Sequence, residues 1–486
     1  MHNVVVVGAG LAGLTVARAL RARGFDVTIL DSAERAGGKA GSDQVDGIWR
    51  EHGYHVFPAW YVNTRKLLGE LGVPPLVDFD CWHTILPDPR HRIVTHRVPR
   101  TFTGFLDVLR GALVPWQHAA LYYYFVLDML AEPLDHAARL DQVSRVGLMR
   151  SRWYRTDRLA ELEEENVLKA SAIPVYDMSA MTAKIISAYW VRHRLPFLSI
   201  LPGDLQATFI APFVRDVVDA GVRIELGHKV TAIEADGPRV GRVTAVDRGG
   251  AARAFTADDV VITTPLEVTR RLIGADLQRL DPDLGNFEHL PAAPMAALHL
   301  TLKSVRPFPR EHVFLHGGRY GLSFIDQTSH WSGLATTTLS FISSNFAPLR
   351  DLPPRDQYEM LLEEITQYLG ITAADVDSHA LRPNVETPLF INTIGAWHNR
   401  PQVASKRIEN LFFAGDWVRN PVDLACMEGA ISSALEAARA VGQRHGVALP
   451  GPAVATTYNP THMRILRRLL APLMFPIWLY ARYGRD

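Results

Sequence analysis

Three glycines near the start of the chain have the spacing of a pyrophosphate-binding turn. Gly8, Gly10 and Gly13 form the pattern G-x-G-x-x-G. The first allows a tight turn, the second lets a pyrophosphate approach the backbone, and the third lets a helix pack closely on a strand. Asp31 follows where an acidic side chain would bind adenosine ribose hydroxyls and repel a 2′-phosphate. The pattern predicts dinucleotide binding, although a glycine-rich turn without a ligand shares it.

A second motif with the same kind of chemistry lies near the C-terminus. Gly415 and Asp416 follow the apolar segment 408–414, and after residues 425–430 an alanine-rich helix is predicted to end near Gly442. The carboxylate can accept hydrogen bonds from the hydroxyls of a cofactor. The start of the helix can stabilise negative charge on that cofactor. Two motifs so far apart in the chain must converge on one cofactor.

The elements around the first motif are those of a parallel α/β sheet. Val4–Val7 is a continuous β-branched run, typical of a strand buried on both faces. A helix pattern follows and ends near Gly24, and a second strand over residues 27–30 leads into Asp31. A middle segment, 221–265, is predicted to form further strands and is expected to complete this domain.

Three segments resemble the FAD-dependent amine-oxidase and carotenoid-desaturase superfamily. Gly37-Gly38-Lys39 is similar to the Gly-Gly-Lys of plant-type phytoene desaturases, whereas amine oxidases tend to have Arg after the glycine pair. Residues 51–63 are similar to the phytoene desaturase stretch E-T-G-L-H-I-F-F-G-A-Y-P-N. Residues 415–430 resemble the Gly-Asp…Met-Glu-Gly-Ala pattern of the superfamily, with one extra residue in the loop 418–424. Squalene-associated (hydroxysqualene) FAD-dependent oxidoreductases are similar as well.

The resemblance implies a non-covalent FAD and assigns residues to it. His55, Val56 and Tyr61 would approach the flavin, and Val230 would contact the adenine. For His55 the alternative is a histidine packed in the core, and for Val230 an ordinary strand core residue. The complete predicted cofactor set is Gly8, Gly10, Ala12, Gly13, Asp31, Ser32, Gly38, Lys39, His55, Val56, Tyr61, Val230, Gly415, Asp416 and Met427. Ala425 is the predicted substrate contact, and no metal ligands are predicted.

The implied fold class is α/β, with a glutathione-reductase-like FAD-binding Rossmann domain interleaved with an α+β substrate domain. The predicted segments are 1–80, 206–290 and 381–450 for the FAD-binding domain, 81–205 and 291–380 for the substrate domain, and 460–486 for an apolar tail.

Composition excludes several other classes of protein. The 486 residues include 51 Lys+Arg and 51 Asp+Glu, so the formal net charge is zero and a nucleic-acid partner is not expected. Two cysteines give no disulfide framework and no CxxC metal pattern, which fits a reducing compartment. The N-terminus shows no export signal. We therefore expect a cytoplasmic protein.

Two apolar segments suit a membrane surface. Residues 102–130 are rich in aromatic side chains, and residues 469–481 are apolar and bracketed by arginines. Both fall short of the roughly 18–20 apolar residues that span a bilayer, but both could lie in its interface. Pro472 and Pro476 would disfavour a long packed helix in the tail. Peripheral membrane association is predicted; the alternative is buried helices of the substrate domain.

The resemblance implies an oxidoreductase that acts on C–C bonds of a polyprenyl or carotenoid-like lipid, with hydride transfer to flavin N5 and a quinone as candidate electron acceptor. An allylic cation would be delocalised, so no strong side-chain base is needed. His55 and Tyr61 are the weak catalytic candidates. The alternatives are a flavin amine oxidase, with Lys303 a candidate for the lysine near N5, a hydroxysqualene dehydroxylase-type activity, or a non-catalytic flavin carrier.

One position departs from the plant-type pattern. That family has an Arg in the helix before a turn like Leu201-Pro202-Gly203, and the ungapped equivalent here is Ala188. Arg192 or Arg194 fits only with a shift. This departure weakens the inference that this chain shares the quinone-linked desaturase activity of that family.

Overall fold

The computed structural model describes residues 2–45, 48–79, 81–87, 90–97, 115–133, 137–159, 168–169, 171–192, 198–309, 311–331, 333–454 and 461–484. The strands are β1 (Asn3–Val7), β2 (Asp26–Asp31), β3 (Ser42–Val45), β4 (Ile48–Glu51), β5 (Val77–Phe79), β6 (Cys81–Ile85), β7 (Ile93–Arg97), β8 (Leu198–Ile200), β9 (Arg223–Leu226), β10 (Lys229–Asp236), β11 (Arg239–Val246), β12 (Ala252–Phe255), β13 (Asp259–Ile262), β14 (Ala292–Ala293), β15 (Ala296–Leu302), β16 (His312–Leu315), β17 (Leu322–Asp326), β18 (Thr338–Ser343), β19 (Val376–Pro383), β20 (Leu389–Phe390) and β21 (Leu411–Phe413). The α-helices are α1 (Leu11–Arg21), α2 (Val62–Glu70), α3 (Trp116–Ala131), α4 (Ala137–Leu140), α5 (Arg145–Arg150), α6 (Ala180–Arg192), α7 (Ala211–Asp219), α8 (Leu266–Leu272), α9 (Ala275–Leu280), α10 (Pro354–Leu369), α11 (Ala396–Asn399), α12 (Met427–Arg444) and α13 (Thr461–Tyr483).

A five-stranded parallel sheet joins the two ends of the chain. Its strand order is β21-β13-β1-β2-β9, so β13, from the middle of the chain, lies between the N-terminal strand and the C-terminal one. In this register Val7 lies opposite Ile262, which in turn lies opposite Phe413. The carboxyl ends of β1, β2 and β21 therefore meet at one edge, where ligands bind in open parallel sheets.

Each face of this sheet is covered by a different layer. Val4 and Val6 pack with α1, α7 and α12 on one face. Val5 and Val7 pack with the three-stranded antiparallel sheet β10-β11-β12 on the other. Because successive side chains of a strand point to opposite faces, a run of valines serves both layers. The predicted α/β fold class is confirmed.

A second, seven-stranded sheet faces the first across a cavity. Its order is β19-β15-β18-β17-β16-β6-β7, and its pairs are antiparallel apart from β16 with β6. Its outer face is closed by α10, which packs Leu361 and Ile365 on this sheet. The strands come from residues 81–97 and 296–383, so both sheets are assembled from separated segments.

The tail forms one helix, α13, that includes both prolines. The expectation that Pro472 and Pro476 would disfavour a long packed helix is wrong, because tertiary contacts outweigh the cost of the missing backbone hydrogen bonds. Arg467 bonds to Asp128 at 2.6 Å, and its carbonyl accepts the Tyr124 hydroxyl of α3. The inner face of α13 contributes apolar side chains to the cluster around α3: Leu470, Ala471, Met474, Ile477, Trp478 and Ala481.

Candidate functional site

One cavity of about 1560 Å³ lies at the carboxyl edge of the parallel sheet and extends beneath the seven-stranded sheet. Pockets for one small ligand typically enclose about 300–1,000 Å³, so this cavity has room for a cofactor and a second molecule. It is lined by the predicted residues Gly8, Gly10, Ala12, Asp31, Ser32, Gly38, Lys39, His55, Val56, Tyr61, Val230, Gly415, Asp416, Ala425 and Met427. Gly13 is the predicted cofactor residue that does not line it.

The first glycine turn brings the backbone of α1 close to that of β1. Gly8 has φ +111° and donates to the Leu30 carbonyl at 2.8 Å. A Cβ at Gly13 would lie 1.9 Å from the Gly8 carbonyl oxygen, so this glycine lets α1 approach β1. Gly10 stands at the N-cap of α1, whose first backbone N–H groups point at the cavity edge. Such a terminus is a ready site for phosphate groups.

The second glycine pair folds back onto the first. Gly37 donates to the Ala9 carbonyl at 2.9 Å, and Gly37 and Gly38 both have positive φ, +128° and +57°. A Cβ at Gly38 would lie 3.2 Å from the Gly10 Cα. The two loops thus form a cradle without side chains, which suits a pyrophosphate. Lys39 then donates to the Pro388 carbonyl at 2.8 Å and ties this loop to the segment before β20.

Asp31 is fixed at the carboxyl end of β2. Its Oδ2 accepts from the Ala9 amide at 2.6 Å, and its Oδ1 accepts from the Ala33 amide at 2.8 Å. Each oxygen keeps a second lone pair for a ribose hydroxyl. Val230, at the start of β10, lines the same part of the cavity, so its predicted contact with the adenine is compatible with its position.

Residues 51–61 follow the cavity away from the glycine loops. Glu51 accepts the Leu205 amide at 2.9 Å through Oε1, and its Oε2 lies 3.3 Å from His55 Nδ1. His55 is therefore oriented by a buried carboxylate rather than packed in an apolar core. Tyr61 is buried against Cys426, and burial raises the pKa of its phenol well above the ordinary value.

The C-terminal motif closes the cavity from the opposite side. Gly415 has φ +149°, and its amide donates to Ser433 Oγ at 2.9 Å. Asp416 is half-exposed to the cavity, while Met427 begins α12 directly at its wall. The positive end of this helix therefore faces the space that a flavin ring would occupy. These residues fit a flavin dinucleotide.

The loop between Asp416 and Met427 is held by a buried network that the sequence did not indicate. Arg400 and Asp423 form an ion pair with both side chains fully buried. Arg400 also donates to the carbonyls of Trp417 and Val418, while Asp423 accepts from Thr182 at 2.7 Å. Burial raises the pKa of Asp423 to about 6, and Arg400 opposes that shift. Arg400-Pro401, shortly before Gly415-Asp416 in the chain, is the sequence signal that could have pointed to this network.

The far part of the cavity is mainly apolar and aromatic. Its walls include Trp82, Tyr122, Tyr123, Met178, Phe314 and Ile342. The polar groups on this wall include two, at His312 and Lys169, that were not predicted from the sequence. The Tyr54 hydroxyl bonds to His312 Nε2 and to Ser323 Oγ, and burial lowers the pKa of His312 to about 3. Lys169 donates to the Leu315 carbonyl at 2.7 Å.

Lys303, the sequence candidate for a lysine near flavin N5, is in the wrong place. It is exposed at the end of β15, donates to the Ala374 carbonyl at 2.8 Å and does not line the cavity. Lys169 is the lysine on the aromatic wall. Ala188 is buried in α6 but does not line the cavity, although Ser187 beside it does. The Arg192 side chain and Arg194 lie outside the described residues.

The tail helix presents a second apolar surface to solvent. Leu469, Leu473 and Phe475 are 67%, 60% and 50% exposed on the outer face of α13. In the part of the chain that the structure describes, no helix combines the length and apolar character needed to cross a bilayer. Residues 102–114 of the other predicted membrane-facing segment lie outside that part.

Comparison with known proteins gives consistent results. The family model of flavin containing amine oxidoreductases matches residues 11–442. The chain is 22% identical to a 15-cis-phytoene desaturase of Narcissus pseudonarcissus over 94% of this chain and 82% of the relative. It is 22% identical to the Synechococcus elongatus 15-cis-phytoene desaturase over 90% and 95%. The fold is similar to cyclohexylamine oxidase from Brevibacterium oxydans, with a TM-score of 0.66 and 16% identity over 92% of this chain and 99% of that one.

The matched range begins within the first glycine motif, after Gly10, and takes in the middle strand, the whole seven-stranded sheet and the Gly415-Asp416 motif. FAD is the cofactor, as the resemblance implied, and the protein is an FAD-dependent oxidoreductase. The chain belongs to the family of flavin-containing amine oxidoreductases.

Proposed function

We propose that this oxidoreductase desaturates C–C bonds of a hydrophobic polyprenyl or carotenoid-like lipid. The observation that carries the proposal is the continuity of the cavity: the space beside Tyr61 and Met427 opens into the aromatic wall formed by Trp82, Tyr122 and Phe314. A long apolar substrate would lose its hydration there and lie against the flavin face. The phytoene desaturase relatives, which match this chain over most of their length, support the same substrate class.

The residues of the chain would act mainly by binding and alignment. When bound, the flavin supplies a hydride acceptor at N5. The aromatic and aliphatic walls would hold the reacting carbon against it and exclude water. The start of α12 at Met427 would stabilise the charge that develops on the ring. His55, oriented by Glu51, stays a candidate for contact with the flavin edge.

Delivery of such a substrate requires access to lipid, and α13 offers it. The exposed residues Leu469, Leu473 and Phe475 form an apolar outer face, with Arg468 and Arg482 exposed on the same helix. The inner face packs on α3, whose Tyr122 and Tyr123 line the cavity. We infer that α13 rests on an anionic membrane surface and that lipid enters beside α3.

A flavin amine oxidase is the second candidate, and Lys169 favours it. This buried lysine lies on the aromatic wall of the cavity, and an amine oxidase of the family would need a lysine close to flavin N5. The fold similarity to cyclohexylamine oxidase is compatible with either activity.

Anaerobic reduction of the flavin separates these candidates. The purified yellow protein is mixed with phytoene in detergent, or with primary amines, and flavin bleaching is followed before a quinone or oxygen is admitted. Bleaching by the polyene with formation of a desaturated product supports the proposal. Bleaching by amines alone would replace it with the second candidate. Absence of bleaching by both, with lipid extracted from the protein lacking polyenes, would reject both.

A further inference from the structure

Three side chains with metal-ligating atoms meet near one edge of the seven-stranded sheet. Cys81 and His83 are alternate residues of β6, so they point to the same face. Glu311 comes directly before β16, and β16 pairs with β6 so that His312 lies opposite Trp82. This register brings the Glu311 carboxylate beside the cysteine and the histidine. None of the three lines the cofactor cavity.

The distances suit an ion held between the three groups. Their ligating atoms all lie within 4.8 Å of one another. His83 Nε2 is 3.1 Å from Glu311 Oε2 and 4.0 Å from Cys81 Sγ. Ligand atoms of tetrahedral zinc, at about 2.3 Å for sulfur and 2.0–2.2 Å for nitrogen or oxygen, are separated by roughly 3.3–3.6 Å. The observed separations bracket this range, so small side-chain rotations would complete the geometry.

The histidine is oriented as a ligand by its neighbour on β7. Thr95 lies opposite His83 in the strand pair, and its Oγ1 is 3.0 Å from His83 Nδ1. Metal-binding histidines usually donate the second ring N–H to such an oxygen. In that tautomer Nε2 carries a lone pair toward the Glu311 carboxylate, which is repulsive unless a cation lies between them. In the other tautomer Nε2 donates to Glu311, and no ion is needed.

We propose that Cys81, His83 and Glu311 bind zinc, with water as the fourth ligand. A thiolate and a carboxylate balance the charge of Zn²⁺, and the mixed sulfur, nitrogen and oxygen set suits this ion. His83 and Glu311 are half-buried, so an ion can enter from solvent. The site would clamp β6 to β16 and, through Thr95, hold β7, whose Val94 and Thr95 line the cavity. It is independent of the reaction proposed above.

Equilibrium dialysis of the flavin-loaded, tag-free protein tests the site. After treatment with a chelator under reducing conditions, the protein is dialysed against ZnCl₂, and bound zinc is measured per chain. We expect one zinc per chain, and its loss in Cys81→Ser, His83→Gln and Glu311→Gln. Thr95→Val should weaken binding by about 10- to 100-fold. Cys426→Ser and His289→Gln, which change the other cysteine and an exposed histidine, should keep the zinc.

Cobalt gives a readout that needs no variant. Co²⁺ bound through Cys81 should show a thiolate-to-metal charge-transfer band, in difference spectra against the flavin. Binding of zinc with this band absent would place the ion elsewhere and reject the site. No bound zinc in the wild-type protein, or equal zinc in all three ligand variants, would also overturn it and leave His83–Glu311 as a hydrogen-bonded pair alone.

Discussion

The two ends of the cavity are built in different ways. The cofactor end is made of backbone: Gly8, Gly38 and Gly415 adopt positive φ, and the loops approach each other where a Cβ would collide or come into close contact. The substrate end is made of side chains such as Trp82 and Phe314, which separate strands contribute. Backbone requirements restrict residue type strictly, whereas an apolar wall accepts many combinations of similar volume. The first end therefore identifies the family, and the second decides the substrate.

Breaking the buried pair beneath the cofactor end should have the largest effect on the fold. Arg400→Met leaves the Asp423 carboxylate buried and unpaired, which costs about 3–5 kcal/mol of unfolding free energy. Urea unfolding of the flavin-loaded protein measures this loss. Arg355→Met is the matched control, because Arg355 pairs with Glu359 at the surface and its loss should change stability little. Equal losses in the two variants would show that the buried network does not hold the loop.

Removing the carboxylate of Asp416 should weaken FAD binding with little effect on the fold. A hydrogen bond to a charged group contributes roughly 1.5–3 kcal/mol, so Asp416→Ala should raise the Kd for FAD by about 10- to 150-fold. Flavin released on dilution, followed by fluorescence, measures the change. Asp283→Ala, at an exposed acid outside the cavity, should retain the cofactor. Unchanged retention in Asp416→Ala would mean that the Gly415-Asp416 motif has been misinterpreted.

The sequence was informative where one residue type is physically required. Gly13 is an example: its Cβ would meet the Gly8 carbonyl at 1.9 Å, so the spacing alone predicted the close approach of helix and strand. Nothing comparable marked His312, which reaches the cavity only because β16 pairs with β6. The error over Pro472 had the same origin, since the packing of α13 on α3 depends on segments more than 300 residues apart. Long-range contacts thus set the limit of the prediction.

Acid should lower the stability of the substrate half, because that half contains buried histidines. Burial lowers the pKa of His299 to about 4 and that of His312 to about 3, from ordinary values near 6.5. The unfolded chain therefore binds more protons as the pH falls below about 6.5, and stability drops by about 1.4 kcal/mol per pH unit for each histidine down to about pH 4. His299→Gln can still donate to the Glu51 carbonyl, and it should remove the contribution of one histidine to this slope.

Urea unfolding at several pH values between 7 and 4.5 measures that slope. His289→Gln replaces an exposed histidine and should leave the slope as in the wild-type protein. If His299→Gln and His289→Gln show the same pH dependence, the buried histidine of the seven-stranded sheet does not cause the acid sensitivity.

Substitutions on the outer face of α13 should have the smallest effect on the fold, although they should clearly reduce membrane binding. Leu469→Gln, Leu473→Gln and Phe475→Ser combined alter side chains that are at least half exposed, so unfolding free energy should shift by less than about 0.5 kcal/mol for each. Sedimentation with anionic liposomes should fall, since apolar area that would enter the membrane is lost.

Deletion of residues 462–486 is a less selective test, because it also uncovers α3. Val305→Asn, at a 71% exposed residue far along the chain, is the control and should keep liposome binding. Full sedimentation of the triple variant would reject α13 as the anchor and shift attention to residues 102–130. If the triple variant turns over lipid-embedded substrate more slowly but substrate in detergent at the normal rate, the apolar face of α13 acts in substrate delivery and not in the chemical step.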